Sequence, residues 1–419
     1  MTTDNGHSLC RIPRVVFLNP WDRFIGPNRY LLEILRHNSD LAVDAVVVFA
    51  EANGALEDYR RLGCHIEVWP EIGLIHPRLT VQSAKECLLT HSAGLFKIVR
   101  RLRSLGPDLV VSNSEILWIG GMAARVVKIP HVQIFHGILS EYRLHGKPRV
   151  WRGYLRFLSM WSKCFVAVSE TLASVIVSGG MPAEKVRVVQ NPIPLESLES
   201  QLSNQTTLEL DTVLKDRYPI LVCAGQIFPV KGQDLLLEAL PTIKRRYPEV
   251  LCIFAGRLGS GAGVDDTEDF YSQLERRVDE LNLRASVIFL GDTEHLDILF
   301  KRAHVSVQPS RMESFCRVVA EALLHGTPVV AFAVGAIPEV AGPGALLVSP
   351  GNVQGLADAV IDTLENPKEA QKRVREGRAH VEKSFDAARV AKRFHDLVLQ
   401  VASRSLEEKK VRSSGELLV

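Results

Sequence analysis

Short apolar segments alternate with longer helix-like segments along almost the whole chain. The apolar segments have the length and the Val, Ile, Leu and Phe content of buried strands, and helical periodicity separates them. They lie at 14–18, 44–49, 65–69, 108–112, 131–135, 164–168, 185–189, 220–224, 250–255, 287–290, 305–308, 328–332 and 345–348. Strands that alternate with helices form parallel sheets with right-handed crossovers. This pattern therefore predicts doubly wound α/β folding and excludes all-helical and all-β folds.

The alternation stops once, near the middle of the chain. Asn191-Pro192-Ile193-Pro194 ends the first series, and a polar segment rich in Ser, Glu, Gln and Thr continues to Lys215. Proline and polar clusters of this kind mark domain boundaries, and 419 residues are too many for one ordinary domain. We predict two Rossmann-like domains, 1–195 and 215–385, which face one another across a cleft. A helix at 386–402 and a flexible tail at 403–419 follow them.

The composition is that of a soluble globular protein, with 46% hydrophobic and 23% charged residues. A net charge of +2 argues against nucleic acid as a partner. The polar N-terminus lacks the features of a secretory signal, and no apolar run approaches the roughly 20 residues that a membrane span needs. Seven scattered cysteines without a Cys-x-x-Cys pair indicate reduced thiols. We expect a cytoplasmic protein, either soluble or attached to a membrane surface.

The stretch Pro309–Glu321 joins a predicted strand to a predicted helix. Helix N-termini at the carboxyl ends of parallel strands attract anions. If the helix begins near Ser314, Glu321 lies roughly two turns into it. Glu313 and Glu321 repel phosphate, but they accept hydrogen bonds from sugar hydroxyls. The arrangement suits a nucleotide sugar, although an amphipathic helix with two solvated glutamates has the same spacing.

The same stretch resembles the Glu-x7-Glu signature of the retaining GT-B glycosyltransferases, in the large family-four group. His325–Val330, Val334–Glu339 and Val287–Gly291 follow the order and spacing of that family. The resemblance is strong over 219–382 and weaker over the N-terminal half. It implies the GT-B architecture, with the helix at 386–402 packed back on the first domain.

The resemblance also implies roles for individual residues. Glu321 would hold the ribose of a nucleotide-diphosphate sugar, Lys231 its diphosphate, and the loop after Gly291 its base. Glu313 and His136 would position the sugar. The backbone of the helix start would share the diphosphate with Lys231, through Ser314, Phe315, Cys316 and Arg317.

Three positions depart from the family pattern. Gln226 stands where arginine is usual, and it can donate a hydrogen bond but supplies no charge. Cys316 replaces a glycine, so its side chain could crowd the ligand, and a nucleophilic role for it is the less favoured alternative. Gly26 is the one glycine where a Gly-Gly pair normally reaches the donor phosphate, and an ordinary turn explains it equally well.

Other polar residues are also candidates for the site. His136 ends a predicted strand and should face the cleft, although a lone histidine is often structural. Ser112-Asn113-Ser114 ends another strand, where it forms either an acceptor contact or a simple turn. The glycine-rich run 256–263 lacks a P-loop signature and reads as a flexible loop. Asp265-Asp266 is the nearest approach to a metal-binding pair, but positive groups already serve the diphosphate, so we predict no metal and no cofactor.

The segment 143–163 contains six Lys or Arg and no Asp or Glu. As a helix it would place Trp151, Leu155 and Leu158 on a face opposite Arg152 and Arg156. Such a helix either contacts an anionic membrane or packs its apolar face on the protein.

Together these features predict a retaining glycosyltransferase that moves a hexose-type sugar to a hydroxyl acceptor. The alternatives are a nucleotide-sugar epimerase on the same fold and a non-catalytic protein that binds sugar nucleotides. The sequence leaves open the sugar, the base, the acceptor and the oligomeric state.

Overall fold

The computed structural model describes residues 12–19, 26–38, 43–51, 56–72, 94–137, 148–195, 214, 217–257, 264–293 and 295–415. Two compact units divide this chain. The first contains the described parts of Met1–Ala167, Ile176–Val189 and Ala388–Val419, and the second those of Val168–Val175 and Gln190–Ala387. Of the predicted glycine-rich loop at 256–263, residues 258–263 lie outside the described residues.

The first unit is built on a parallel sheet of seven strands in the order β3-β2-β1-β4-β5-β6-β7. Its strands are β1 Arg14–Asn19, β2 Asp44–Phe49, β3 His65–Val68, β4 Leu109–Ser112, β5 His131–Phe135, β6 Cys164–Ala167 and β7 Val186–Val188. The central strands β1, β4 and β5 are buried nearly throughout. Helices cover both faces of a sheet of this kind, which is why the strands are continuously apolar.

The second unit carries a parallel sheet of six strands in the order β10-β9-β8-β11-β12-β13. They are β8 Ile220–Ala224, β9 Leu251–Ala255, β10 Val287–Gly291, β11 Val305–Gln308, β12 Val329–Phe332 and β13 Ala345–Val348. In both sheets the order reverses beside the first strand, as in Rossmann-like folds. The prediction of two doubly wound α/β domains is confirmed.

Helices connect the strands of both sheets. In the first unit they are Gly26–Arg36, Leu56–Arg61, 94–105, Trp118–Val126, Pro148–Trp161 and Glu170–Ser178, the last of which crosses into the second unit. In the second unit they are Gln233–Arg246, Val264–Glu280, Leu296–Arg302, Arg317–Leu324, Ile337–Ala341, Val353–Glu365 and Pro367–Phe385. Among the described residues, no helix is both long and apolar enough to cross a bilayer.

The last helix, Ala387–Gly415, extends beyond the predicted end at 402. Its core residues Val390, Phe394 and Val398 are fully buried, and Phe394 packs on Phe17 and Tyr30 of the first unit. The prediction of a flexible tail from 403 differs from this structure. Residues 406–410, Leu-Glu-Glu-Lys-Lys, are good helix formers, which agrees with a helix that continues to Gly415.

The first unit buries a histidine between two serines. Nε2 of His131 lies 2.8 Å from Oγ of Ser112, and Nδ1 lies 2.8 Å from Oγ of Ser162. The residue is 1% exposed, and burial lowers its pKa from the ordinary value of 6.5 to about 3. The imidazole is therefore neutral at physiological pH and acts as a structural bridge between the two hydroxyls.

This burial predicts acid destabilisation. The unfolded chain takes up a proton at residue 131 near pH 6.5, whereas the folded chain takes it up only near pH 3. As the pH falls below about 6.5, His131 should lower the free energy of unfolding by about 1.4 kcal/mol per pH unit. Urea titrations of the wild type and His131→Gln at pH 7, 6 and 5 measure this slope. The variant should be less stable at pH 7 but show a shallower pH dependence, and parallel slopes would contradict the assignment.

Candidate active site

Lys231 and Glu313 come from loops that follow two neighbouring strands. Lys231 lies in the loop after β8, Glu313 in the loop after β11, and these strands pair at the point where the strand order reverses. Ligands of open α/β sheets bind beside such a point, at the carboxyl ends of the strands. The structure brings these two residues together across 82 positions of sequence, with Nζ of Lys231 2.7 Å from Oε1 of Glu313.

The Glu313 carboxylate is held by several groups. Besides Lys231, the hydroxyl of Ser310 donates to Oε1 at 2.9 Å, and the thiol of Cys316 is hydrogen-bonded to the same side chain. The Glu313 side chain is 8% exposed and that of Lys231 27%. A buried charge needs such partners, because its desolvation is otherwise costly. The result is a fixed carboxylate beside a fixed ammonium group.

The loops that carry this pair are packed against each other. Gly232 has φ of +70°, and a Cβ added there would lie 2.0 Å from the carbonyl oxygen of Pro309. The N–H of Arg311 donates to the carbonyl of Val230 at 2.8 Å, and its guanidinium pairs with Asp234 at 2.6 Å. Only glycine at position 232 allows the two loops to come this close, because any Cβ would collide with Pro309. The position of the neighbouring Lys231 therefore depends on Gly232.

A third loop, which contains Gly335, packs against the backbone of Glu313. Gly335 has φ of +50°, and an added Cβ would lie 1.9 Å from the carbonyl oxygen of Glu313. The same oxygen accepts from the N–H of Ala336 at 3.0 Å. The segment Val334–Glu339 was singled out in the sequence, but this contact with Glu313 was not foreseen.

Cys316 adopts the left-handed conformation, with φ of +70°, just before the helix Arg317–Leu324. Glycine suits this conformation, which explains the residue expected there. The thiol is buried, and burial together with the Glu313 carboxylate raises its pKa well above the usual value. A protonated, enclosed thiol is a poor nucleophile, so the structure favours a packing role for Cys316.

The helix that carries Glu321 begins at Arg317 and not near Ser314 as predicted. The segment from Ser314 to Cys316 is a turn, since Cys316 is left-handed. Glu321 consequently lies about one turn into the helix, not two. There it is 3.5 Å from Nε of Arg317, whose Nη1 donates to the carbonyl of Pro192 at 2.7 Å. Arg317 thus fixes Glu321 to the segment that follows the first strand series.

The remaining residues of the turn have distinct surroundings. The Phe315 ring is 3% exposed and packs edge-on against Phe385, with 5.1 Å between the ring centroids. Only its backbone is suited to contact a ligand. The carbonyl of Ser314 accepts from the hydroxyl of Ser169 at 2.7 Å.

Gln226 and Gly291 lie at the same edge of the second sheet. Gln226 follows β8, and its carbonyl accepts from Nε2 of Gln233 at 2.8 Å. Gly291 ends β10 with φ of +77°, is exposed, and accepts from the N–H of Gly256 at 2.7 Å.

Gly26 and His136 belong to the first unit. Gly26 is the exposed first residue of the helix Gly26–Arg36. His136 directly follows β5, and Nε2 lies 2.8 Å from Oδ1 of Asn113, which follows the neighbouring strand β4. The sequence predicted for Asn113 either an acceptor contact or a simple turn, and this hydrogen bond to His136 was not foreseen.

The described residues contain no group of three or more His, Cys, Asp or Glu side chains arranged to hold a metal ion. Asp265 and Asp266 lie in the helix Val264–Glu280, but their side chains are outside the described residues.

Two family models match the chain in succession. Residues 24–197 match the family described as glycosyltransferase family 4, and residues 205–380 match glycosyl transferases group 1. The boundary between the matches falls in the polar segment that follows the first strand series.

Curated relatives match parts of the chain. An uncharacterized glycosyltransferase of Methanocaldococcus jannaschii is 28% identical over 239 residues, which are 53% of this chain and 56% of that protein. The D-inositol 3-phosphate glycosyltransferase of Mycobacterium tuberculosis is 32% identical over 202 residues, 47% of this chain and 40% of that protein. The chain thus spans about half the length of the curated relatives it matches.

Solved structures share the fold over nearly the whole chain. Anabaena HepE, crystallised with UDP and glucose, superposes with a TM-score of 0.76 at 22% identity and covers 92% of this chain and 99% of its own. Sucrose-phosphate synthase of Thermosynechococcus elongatus gives a TM-score of 0.72 at 19% identity, covering 94% and 100%.

Proposed function

We propose a function from the premise that this chain belongs to the GT-B glycosyltransferases, whose group 1 and family 4 models together match most of its length. The proposal is that it transfers a hexose-type sugar from a nucleotide diphosphate to a hydroxyl acceptor, with retention of the anomeric configuration. The observation that carries it is the ion pair between Lys231 and the buried carboxylate of Glu313, at the point where the second sheet reverses its strand order.

The donor diphosphate is assigned to Lys231 and to the start of the helix Arg317–Leu324. The ammonium group supplies a positive charge, and a helix N-terminus adds about half a charge of the same sign. These groups stabilise the diphosphate as it leaves. Gln226 adds a hydrogen bond without charge, so more of the stabilisation falls to Lys231.

The hydroxyls of the sugar and the ribose are assigned to side chains that accept hydrogen bonds. Glu321, fixed by Arg317, accepts from the ribose hydroxyls, and the loop after Gly291 contacts the base. Glu313 and His136 accept from hydroxyls of the transferred sugar. No second carboxylate is placed as a nucleophile among these residues. A front-face route, in which the leaving phosphate takes up the acceptor proton, therefore agrees with them best, and the chemistry needs no metal ion.

The experiment is a screen of the purified protein against UDP-, GDP- and ADP-sugars. Thermal stabilisation and slow donor hydrolysis are measured for the wild type, Lys231→Ala and Glu321→Ala. The proposal is supported if one donor stabilises the wild type and is hydrolysed by it, and if both variants lose these two effects. Donor isomerisation without an acceptor indicates an epimerase, binding without turnover indicates a non-catalytic binding protein, and absence of binding contradicts the site.

A contact with an anionic membrane is proposed for the helix Pro148–Trp161. Its apolar residues Trp151, Leu155 and Leu158 are buried in the first unit, so they are not available to lipid. Its exposed face carries Arg149, Arg152 and Arg156 together with the exposed side chains of Val150 and Met160. Basic residues near an anionic surface contribute about 1 kcal/mol each.

We therefore expect the protein to sediment with vesicles that contain phosphatidylserine but not with neutral ones. The double variant Arg152→Glu/Arg156→Glu should bind at least about 30-fold more weakly, because the loss of two attractive charges alone costs about 2 kcal/mol and the new carboxylates repel the surface. The double variant Arg245→Glu/Arg276→Glu, at two exposed arginines of the second unit, makes the same change of net charge away from this helix. Equal binding of both variants would show that this helix does not contact the membrane.

A further inference from the structure

His136 is held at the carboxyl edge of the first sheet by Asn113. The two residues directly follow β5 and β4, which are adjacent parallel strands, so their side chains meet at one edge. Nε2 of His136 lies 2.8 Å from Oδ1 of Asn113. Asn113 is fully buried. A histidine with a buried amide partner has a defined ring orientation.

The orientation of the Asn113 amide follows from its other contact. Nδ2 of Asn113 is 2.9 Å from the carbonyl oxygen of Pro27, which can only accept a hydrogen bond. The nitrogen of the amide must therefore face Pro27, and its oxygen must face the imidazole. Because that oxygen is an acceptor, Nε2 of His136 carries the hydrogen.

Further buried polar groups keep the amide from turning over. Nδ2 of Asn113 also approaches Oδ1 of Asn19 at 3.4 Å, and Nδ2 of Asn19 donates to Oδ1 of Asn28. The hydroxyl of Tyr59 donates to the carbonyl of Asn28 at 3.0 Å. A flipped Asn113 would set its oxygen against the Pro27 and Asn19 oxygens, which is unfavourable in a buried site.

The surroundings keep the imidazole neutral. Burial lowers the pKa of His136 from 6.5 to about 3. The groups that face it are the Glu115 carboxylate, which accepts from the His136 backbone N–H at 3.1 Å, and the Tyr30 ring, edge-on with 5.1 Å between centroids. Burial raises the pKa of the Tyr30 phenol, so that group also stays uncharged. A neutral imidazole with hydrogen on Nε2 has a lone pair on Nδ1.

We propose that Asn113 is a positioning residue that fixes His136 in the Nε2–H form, so that Nδ1 accepts a hydrogen bond from a hydroxyl of the bound sugar. The identity of the hydroxyl donor rests on the proposed glycosyltransferase function, whereas the tautomer rests on the contacts of Asn113 alone. His136 in this form is neither an acid nor a cation, and it selects for a hydroxyl at the position it contacts.

The tautomer is measured directly by long-range ¹H–¹⁵N correlation on the whole protein with labelled histidine rings. The His136→Gln variant identifies the His136 signals among those of the 13 histidines. We expect hydrogen on Nε2 and none on Nδ1 from pH 8 to pH 5. Hydrogen on Nδ1, or a doubly protonated ring at pH 6, would overturn the inference, and this outcome needs no variant of Asn113 that folds.

Two substitutions then test the link to catalysis. Asn113→Asp keeps an acceptor opposite Nε2 but adds charge and sets its second oxygen against the Pro27 carbonyl, so the variant should be less stable. In the folded variant the tautomer should persist while the ring protonates at higher pH. Its kcat/KM should fall only below that new pKa. Asn113→Ala removes the acceptor, which should give mixed tautomers and about a 10-fold loss of kcat/KM at every pH. The control is Gln133→Ala. Gln133 lies in β5, and its buried amide donates to the carbonyl of Ser114.

Gln133→Ala should lower stability while leaving the His136 tautomer and kcat/KM of the folded protein unchanged. Equal effects of Gln133→Ala and Asn113→Ala on the His136 tautomer and on kcat/KM would show that Asn113 is only a structural residue. This result would contradict the inference. If the wild type turns over no donor, the proposed function fails and the spectrum still decides the tautomer. If the wild type is active with hydrogen on Nδ1, the function stands and this inference fails.

Discussion

Substitution of Lys231 by alanine is expected to lower kcat/KM for the donor by about 100-fold, the cost of losing one positioned group that stabilises developing charge. Two effects combine in this variant. In the proposed site the leaving diphosphate loses the ammonium group of Lys231, and Gln226 supplies no charge in its place. Glu313 also loses its 2.7 Å partner, and a buried carboxylate without a counterion repels an incoming phosphate.

Lys231→Gln separates the two effects, because an amide can still donate to Glu313 but carries no charge. It should preserve the melting temperature better than Lys231→Ala and lose a similar share of activity. Lys244→Ala is the matched control, since Lys244 lies on the following helix and donates to the carbonyl of Asn282. Wild-type kinetics in Lys231→Gln would show that the charge does not serve the donor.

Substitution of Gly335 by alanine is expected to destabilise the second unit by about 3 kcal/mol or more. The new Cβ would lie 1.9 Å from the carbonyl oxygen of Glu313 in a backbone with φ of +50°, so the two loops must separate. For a unit of this size the melting temperature should fall by about 6–12 °C. Donor binding should weaken as well, because Glu313 moves with its loop.

Gly351→Ala is the matched control. Gly351 also has a left-handed backbone, with φ of +74°, but no atom lies within 4 Å of an added Cβ. Its replacement should cost only the conformational penalty of about 1–2 kcal/mol. Differential scanning calorimetry of both variants measures the difference, and equal losses would mean that the Glu313 and Gly335 loops are not in close contact.

Much of the fold was predictable from sequence because the strands are continuously apolar. The predicted limits of β2, β5, β8, β11 and β13 agree with those of the structure. Parallel strands covered on both faces produce such runs, and the runs are a local signal. The start of the helix Arg317–Leu324 was misplaced, because the left-handed turn at Cys316 has no apolar signature and is held by contacts with Glu313.

In the candidate site, too, some residues were predictable from the sequence and others were not. Lys231, Glu313 and Glu321 were identified from their places beside predicted strands and helices and from the family signature. Ser310 and Gly335 were not identified for the site, since a serine or a glycine in a loop carries no distinguishing pattern. The tautomer of His136 was also beyond the sequence, because it depends on the amide orientation of Asn113 and thus on the carbonyl of Pro27.

The sequence by itself determined the two sheets and the residue types at the carboxyl ends of the strands. The spacing of apolar residues indicates which positions are buried, and that spacing differs between strands and helices. Only the tertiary structure decided that Lys231 pairs with Glu313, that Arg317 holds Glu321, and that Asn113 orients His136. The Lys231–Glu313 and Asn113–His136 pairs join residues distant in the chain, and the order of strands in each sheet brings them together. The Arg317–Glu321 pair is local, but its geometry depends on the carbonyl of Pro192, which is distant in sequence.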